Sequence, residues 1–148
     1  MAISTEKPRG LFTASVVANT PICREHYRLT VRIVGERRFP PSRPGQFVQI
    51  GCRADGANAR EDREFDWRPG QPPVAAPPEL REPAPFLRRP YSIAGRRDGD
   101  DHTDIDIVYR VVGLGTTWLE RLRPGDDVDV IGPLGNAFAL PPEKSVAL

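Results

Sequence analysis

The sequence predicts an all-β domain, a six-stranded antiparallel barrel with one short helix. Short apolar runs that alternate with polar residues recur along the 148 residues, and turn-forming residues separate them. Start and stop signals of a helix occur together late in the chain. Sequential strands joined by turns favour an antiparallel barrel over a parallel sheet. A chain of this length is expected to form one domain over residues 1–148.

The first half of the chain contains three predicted strands. Residues 11–18 are rich in β-branched and aromatic side chains, and Thr20-Pro21 is expected to interrupt this first strand. Residues 26–34 are predicted to form the second strand, because Tyr27, Leu29, Val31 and Ile33 alternate with Arg28, Thr30 and Arg32, as in a half-buried strand. After a Pro-Gly turn, residues 46–50 form a third short strand.

The second half supplies the other three strands. Residues 91–94 are predicted to form the fourth strand, and residues 95–102, GRRDGDDH, a polar turn. Residues 104–112 give the clearest strand pattern in the chain. Residues 127–131 form the last predicted strand, so the count is six.

Two segments do not fit the barrel. Residues 51–85 combine many prolines with scattered charges and show no apolar periodicity, so they are predicted to be a long inserted loop. Residues 144–148 resemble the start of a further strand. We therefore expect the natural polypeptide to continue into another domain.

Composition excludes several classes of function. The net charge of +1 gives no basic face for nucleic acid or an anionic membrane. Cys23 and Cys52 match neither a metal-ligand spacing nor a disulfide framework, which favours a cytoplasmic protein. His26 and His102 have no visible nucleophile or ligand partner, so no catalytic residue and no metal site is predicted.

A glycine-rich turn suggests a phosphate site. Residues 113–117, GLGTT, lead from a strand into a helix that is predicted to begin with a Thr-x-x-Glu capping box at Thr117 and Glu120. Free amides at a helix N-terminus favour an anion. Trp118 stands where a dinucleotide fingerprint needs its third glycine, so a simple tight turn is an equally good interpretation.

The stretch RRPYS, residues 88–92, carries a second signal. Arg89 offers a planar cationic fork for phosphate, Tyr91 an aromatic face for a planar ring and Ser92 a hydroxyl. Each also has an ordinary interpretation as a surface charge, a core residue and a strand residue. Arg88 is expected to be a surface or rim charge. Together with the glycine-rich turn, this stretch makes a phosphorylated aromatic ligand as good an interpretation as those ordinary ones.

These motifs and their order resemble a known family. Arg-x-Tyr-Ser at 89–92, the strand end at 108–110, Gly-x-Gly-Thr at 113–116 and the Gly-Pro-Leu-Gly stretch within 125–138 resemble the FAD-binding barrel of the ferredoxin-NADP reductase superfamily. Residues 108–138 look most like the electron-transfer subunit of class 1B dihydroorotate dehydrogenase. The resemblance implies a six-stranded Greek-key barrel that binds FAD.

The resemblance also implies which residues contact FAD. Arg89 and the helix start would hold the pyrophosphate, the residues after Arg89 would shape the ribityl and isoalloxazine site, and the end of the next strand would line the remainder. The implied cofactor-binding residues are Arg89, Pro90, Tyr91, Ser92, Val108, Tyr109, Arg110, Gly115 and Thr116.

The function implied is electron transfer. In such subunits FAD exchanges a hydride equivalent with NAD, and a [2Fe-2S] cluster relays electrons to a catalytic subunit that carries FMN and acts on dihydroorotate. Two cysteines cannot supply four cluster ligands, so this chain is expected to bind FAD alone, as an oxidoreductase component. Two alternatives stay open: the FAD domain of another NAD(P)H-dependent flavin, ferredoxin or sulfur reductase, and a flavin-less barrel acting as an assembly module.

Overall fold

The computed structural model describes residues 10–35, 37–51, 69–70 and 87–139. In these residues the strands are β1 (Gly10–Cys23), β2 (His26–Val34), β3 (Phe47–Gly51), β4 (Arg89–Ser92), β5 (Gly95–Asp98), β6 (His102–Arg110) and β7 (Asp127–Leu134), and the helix is α1 (Leu114–Arg121). Most of the predicted insertion and the strand start at 144–148 lie outside the described residues. Both stay predictions.

The strands form one antiparallel sheet in the order β4-β3-β7-β1-β2-β6-β5. Its two edges, β4 and β5, are joined in sequence by only Ile93 and Ala94. The three steps from Ser92 to Gly95 span at most about 11 Å. Seven strands laid flat would place the edges roughly 29 Å apart, at about 4.8 Å per spacing. The sheet therefore curls until its edges approach each other.

The all-β class with one short helix and an antiparallel order is confirmed, whereas the closed six-stranded barrel is wrong. The sheet has seven strands, and no ladder joins β4 to β5 in the described part of the chain. The connecting residues use their amides elsewhere, since Ile93 donates to the Gln46 carbonyl and Ala94 to the Asp106 carbonyl. The curled sheet is thus not closed into a barrel.

The additional strand is β5, which the sequence predicted to be a turn. Its residues, Gly-Arg-Arg-Asp, include no apolar side chain, so the alternation that indicates a strand is missing. It pairs with β6 over four residues. Arg97 adds a two-pronged contact to Asp106, with Nη1–Oδ2 at 2.6 Å and Nη2–Oδ1 at 2.9 Å. Charge pairing across the strands therefore replaces apolar burial here.

Strand β1 is longer than predicted because Pro21 does not interrupt it. Pro21 lies opposite Tyr27 of β2, beside an irregularity in the register. Strand β7 covers β1 only from Gly10 to Ser15, so Pro21 lies where β1 has a single neighbour. A missing amide hydrogen is tolerated at such an edge or bulge.

The core lies inside the curl of the sheet. Its buried apolar side chains come from every strand except β4 and β5, from the helix and its C-cap, and from the connection between β2 and β3: Phe12, Ala14, Val16, Leu29, Val31, Ile33, Phe39, Val48, Ile50, Ile105, Ile107, Tyr109, Leu119, Leu122, Val128 and Val130. Leu119 and Leu122 attach α1 to the sheet, and each contributes about 2 kcal/mol on burial. Among the described residues no helix is long and apolar enough to span a membrane.

The outer face of β6 carries two buried carboxylates, Asp104 and Asp106, each 7% exposed. Arg32 contacts Asp104 with Nε–Oδ1 at 2.7 Å, and this hydrogen bond lowers the pKa of Asp104. Arg97 and then Thr30, whose hydroxyl donates to Oδ1 at 2.7 Å, lower the pKa of Asp106. Both carboxylates are therefore held in their ionised form within the sheet.

Candidate functional site

A cavity of about 340 Å³ lies between β4 and the start of α1. Its lining consists of two short stretches, residues 89–91 of β4 and residues 112–116 of the turn and helix. This volume lies within the usual range for small-molecule sites. Five residues predicted from the sequence line it: Arg89, Pro90, Tyr91, Gly115 and Thr116.

Arg89 lies across the first turn of α1. A Cβ atom added to Gly115 would be 3.3 Å from both Cγ and Nε of Arg89, so the missing side chain of Gly115 makes room for the arginine. Within the described part of the chain no carboxylate pairs with Arg89. The result is a partly buried arginine whose charge is not neutralised by any acid of the described residues.

The neighbouring arginine points elsewhere. Arg88 was predicted to be a rim charge, but its side chain packs over Gly51 of β3, with Nη1 within 2.6 Å of an added Cβ. Its Nη2 lies 3.9 Å from Asp129 Oδ2, and Nη1 is buried with no hydrogen-bond partner among the described residues. The side chains of Arg88 and Arg89 therefore lie in different places, one against Gly51 and the other against Gly115.

The helix starts four residues earlier than the sequence predicted, with its N-cap at residue 113 instead of 117. Gly113 is the N-cap, and the Thr117 amide already donates to the Gly113 carbonyl at 2.9 Å. The capping box at Thr117 and Glu120 is therefore wrong. Thr116 does the capping: its hydroxyl accepts from the amides of Val112 and Gly113 at 2.9 and 3.1 Å and donates to the Gly113 carbonyl at 3.0 Å.

The hydroxyl of Thr116 is fully used by these three hydrogen bonds, because a hydroxyl has one donor and two acceptor sites. Thr116 can therefore offer a ligand only its amide. The amides of Leu114, Gly115 and Thr116 have no acceptor among the described residues, as expected for the first turn of a helix. Three free amides, the positive end of the helix dipole and the Arg89 guanidinium together favour an anion.

Comparison with known proteins identifies the family. A family model described as the siderophore-interacting FAD-binding domain matches residues 15–137, which is most of the chain. The chain belongs to this family. The resemblance to the ferredoxin-NADP reductase superfamily is also confirmed, because the fold, the family model and the relatives below agree with it.

Curated relatives of this FAD-binding domain include electron transfer subunits of dihydroorotate dehydrogenase B (NAD(+)). The subunit from Geobacillus sp. (strain WCH70) is 46% identical over 56 residues, 38% of this chain and 21% of the relative. The subunit from Clostridium acetobutylicum is 43% identical over 75 residues, 51% of this chain and 28% of the relative. The subunit from Caldanaerobacter subterraneus is 26% identical over 140 residues, 95% of this chain and 42% of the relative. The chain thus spans less than half the length of these relatives.

A solved structure shares the fold. The cytochrome P450 reductase GcoB of Amycolatopsis superposes with a TM-score of 0.56 and 26% sequence identity, covering 91% of this chain and 31% of that chain. The likeness extends over nearly the whole described sheet of this FAD-binding domain, so the fold is shared beyond the segments with the highest sequence identity.

FAD fits the chemistry of the cavity in this FAD-binding domain. The diphosphate needs cationic and amide donors, and Arg89 and the start of α1 provide both. Tyr91, partly buried and packed against the core, adds an aromatic wall. Ser92 is exposed at the end of β4 and is not among the lining residues.

The structure does not bring the predicted residues of β6 to the cavity. Val108 is exposed on the outer face, and Arg110 pairs with Glu25 at 3.1 Å. Tyr109 is buried, its hydroxyl donates to Asn19 Oδ1 at 3.0 Å, and burial raises its pKa to about 12. The flavin-lining roles of these residues, like those of the residues in the cavity, stay predictions.

The sequence prediction omitted Val112, Gly113 and Leu114, which also line the cavity. The glycine-rich turn, which was itself predicted as a phosphate site, contains Gly113 and Leu114, but only Gly115 and Thr116 of that turn were named as cofactor contacts. The turn as a whole was therefore the signal that could have found them.

Proposed function

We propose that this domain binds FAD through its diphosphate at Arg89 and the start of α1 and serves as an electron-transfer component. The observation that carries the proposal is the Arg89 side chain lying on Gly115, next to the amides of residues 114–116. Neither the guanidinium nor these amides have a partner of that kind, an acid or an acceptor, among the residues that the structure describes. When bound, FAD supplies the redox chemistry, and the protein supplies binding and orientation.

The residues of this chain have distinct tasks in the proposal. Arg89 and the amides of residues 114–116 neutralise the diphosphate. Pro90 fixes the backbone beside Arg89, and Tyr91 presents its ring to the part of FAD that follows the phosphates. Thr116 holds the turn in shape through its three hydrogen bonds. Side-chain acid or base catalysis has no part in this function.

More specifically, we propose that the domain is part of the electron transfer subunit of a dihydroorotate dehydrogenase B. It is supported by the relatives with that name, two of which are 46% and 43% identical to segments of this chain. Electrons would pass between NAD and an FMN-containing catalytic subunit. Since this chain spans less than half of those relatives, the NAD site and the [2Fe-2S] cluster would belong to further parts of such a protein.

A second candidate is the FAD domain of another reductase. The structural match to the P450 reductase GcoB, over 91% of this chain, favours it. An electron-transfer experiment separates the two candidate functions. The FAD-loaded protein is chemically reduced and then mixed either with an FMN-containing dihydroorotate dehydrogenase catalytic subunit or with a cytochrome P450. Faster reoxidation by the FMN protein supports the first candidate, and faster reoxidation by the cytochrome supports the second.

FAD binding itself is tested by quenching of flavin fluorescence. We expect the purified protein to bind FAD at least about 10-fold more tightly than riboflavin, because only FAD has the diphosphate that the site recognises. No quenching with FAD would overturn the proposal and leave the flavin-less assembly module.

A further inference from the structure

The last turn of α1 is held by a side chain from β1. Asn19 Nδ2 donates to the Leu119 carbonyl at 2.8 Å and lies 3.3 Å from the Leu122 carbonyl oxygen. Its Oδ1 accepts the Tyr109 hydroxyl at 3.0 Å. Carbonyls in the last turn of a helix lack their regular helical partners. The Leu119 carbonyl also accepts the amide of Leu122 at 3.1 Å, so Asn19 adds a second donor to it and brings a donor to the Leu122 carbonyl just beyond the helix.

Two tyrosines add further contacts in the same region. The Tyr109 ring stacks on Tyr27, with centroids 5.6 Å apart and planes at 18°. The Tyr27 hydroxyl donates to Glu120 Oε1 at 2.8 Å. Asn19, Tyr27 and Tyr109 thus attach the C-terminal end of α1 to strands β1, β2 and β6.

The position of the C-terminal end of α1 affects where its N-terminal turn, which lines the cavity, lies. An α-helix of eight residues is about 12 Å long, so a tilt of about 5° at its C-terminal end moves its N-terminal end by about 1 Å. The first turn packs against Arg89 with only 3.3 Å between Nε and an added Gly115 Cβ. A shift of about 1 Å is therefore large compared with the fit of the site.

We propose that Asn19 is a positioning residue for the anion site: by holding the last turn of α1, it sets the distance between the free amides at residues 114–116 and Arg89. The inference rests on the proposed function, because the anion is taken to be the diphosphate of FAD. Asn19 itself does not line the cavity.

Asn19→Asp tests this with little change in size. The carboxylate still accepts from Tyr109, but its second oxygen faces the Leu119 carbonyl, and two acceptors repel each other. We expect FAD to bind about 10-fold more weakly, and riboflavin to change by less than about 2-fold. The amide resonances of Gly113, Leu114 and Gly115 in the flavin-free protein should shift.

A matched control is Ile33→Val. Ile33 is buried in the core near the far end of β2, and the loss of one methylene group lowers the stability of the fold without touching α1. We expect this variant to leave the ratio of FAD to riboflavin affinity and the three amide resonances unchanged. It separates a loss of stability in general from a displacement of the helix.

Lowering the pH provides a rescue that a general structural defect would not show. Once protonated, the carboxyl group introduced by Asn19→Asp would regain a donor for the Leu119 carbonyl. The surrounding carbonyls favour protonation, and Arg123, which donates to the Glu120 and Leu122 carbonyls at 3.3 and 3.4 Å, opposes it. The FAD affinity of the variant should therefore recover as the pH falls from about 8 to the ordinary carboxyl range near about 4, relative to the unsubstituted protein at each pH.

Two results would overturn the inference: equal weakening of FAD and riboflavin in Asn19→Asp, or unmoved resonances of Gly113, Leu114 and Gly115. If the unsubstituted protein binds no FAD, the proposed function fails, yet the amide resonances still decide whether Asn19 sets the start of the helix.

Discussion

Replacing Gly115 with alanine should weaken FAD binding while leaving the fold as stable as before or more stable. Gly115 lies inside α1, where alanine is favoured over glycine by about 1 kcal/mol. The added Cβ would be 3.3 Å from Cγ and Nε of Arg89, closer than the optimum of about 3.5 to 4.0 Å for such contacts. Arg89 must therefore retreat by a few tenths of an ångström.

The retreat should cost a substantial part of one charge-assisted hydrogen bond to phosphate, about 1.4 kcal/mol, or about 10-fold in Kd. We expect riboflavin affinity to change by less than about 2-fold, and the melting temperature of the flavin-free protein to stay the same or rise by about 3 °C. Fluorescence titration and a thermal melt measure the two quantities. Arg121→Ala, exposed in the last turn of the same helix, is the control and should not alter the ratio of the two affinities.

A double-mutant cycle makes the test specific. If Gly115→Ala acts by displacing Arg89, it should have little further effect on FAD binding in an Arg89→Ala background. Additive losses would refute the reasoning, because they would mean that the Cβ interferes with FAD directly or by another route.

Two further predictions concern the cap and the buried carboxylates. Thr116→Val should destabilise the protein by about 1 kcal/mol in a thermal melt, because the amides of Val112 and Gly113 lose their acceptor. Thr116→Ser keeps the hydroxyl and should melt near the temperature of the unsubstituted protein. Equal melting temperatures of the two variants would contradict the capping role. Arg97 lowers the pKa of Asp106 in the folded protein. The contribution of the Asp106 carboxylate to stability is therefore fully present above its unfolded-state pKa of about 3.9, and it is lost as the pH falls through the lower folded-state pKa. The stability difference between Asp106→Asn and the unsubstituted protein in urea denaturation should therefore shrink below about pH 4, and a constant difference would be inconsistent with this linkage.

The sequence predicted those parts of the fold in which the burial of apolar side chains determines both the residue pattern and the structure. Strands β2 and β6 alternate in sequence because only the face of each that packs in the core takes apolar side chains, so their bounds were close to correct. Strand β5 was missed because arginine-carboxylate pairing, between residues nine apart in sequence, stabilises it in place of apolar burial. The start of α1 was missed because Thr116 caps Gly113 from inside the first turn, and a Thr-x-x-Glu pattern further along looked equally suitable.

Part of the candidate site could also be predicted from the sequence. Arg89 and the glycine-rich turn were predicted from chemistry alone, and the structure places them on opposite walls of one cavity. Sequence spacing could not show that the phenol of Tyr109 lies in the core beside Asn19, because this depends on which face of β6 turns inward. The contact between Gly115 and Arg89 depends on the curl of the sheet and is visible only in three dimensions.

The central claim is that Arg89 holds the diphosphate of FAD, and comparing Arg89→Ala with Arg88→Ala tests it most directly. The two arginines are adjacent, but Arg88 packs over Gly51, away from the cavity lining. We predict that Arg89→Ala weakens FAD by about 10-fold or more with little effect on riboflavin, and that Arg88→Ala leaves the ratio of the two affinities unchanged. Equal losses of FAD and riboflavin in Arg89→Ala, or the same loss of FAD in both variants, would contradict the claim.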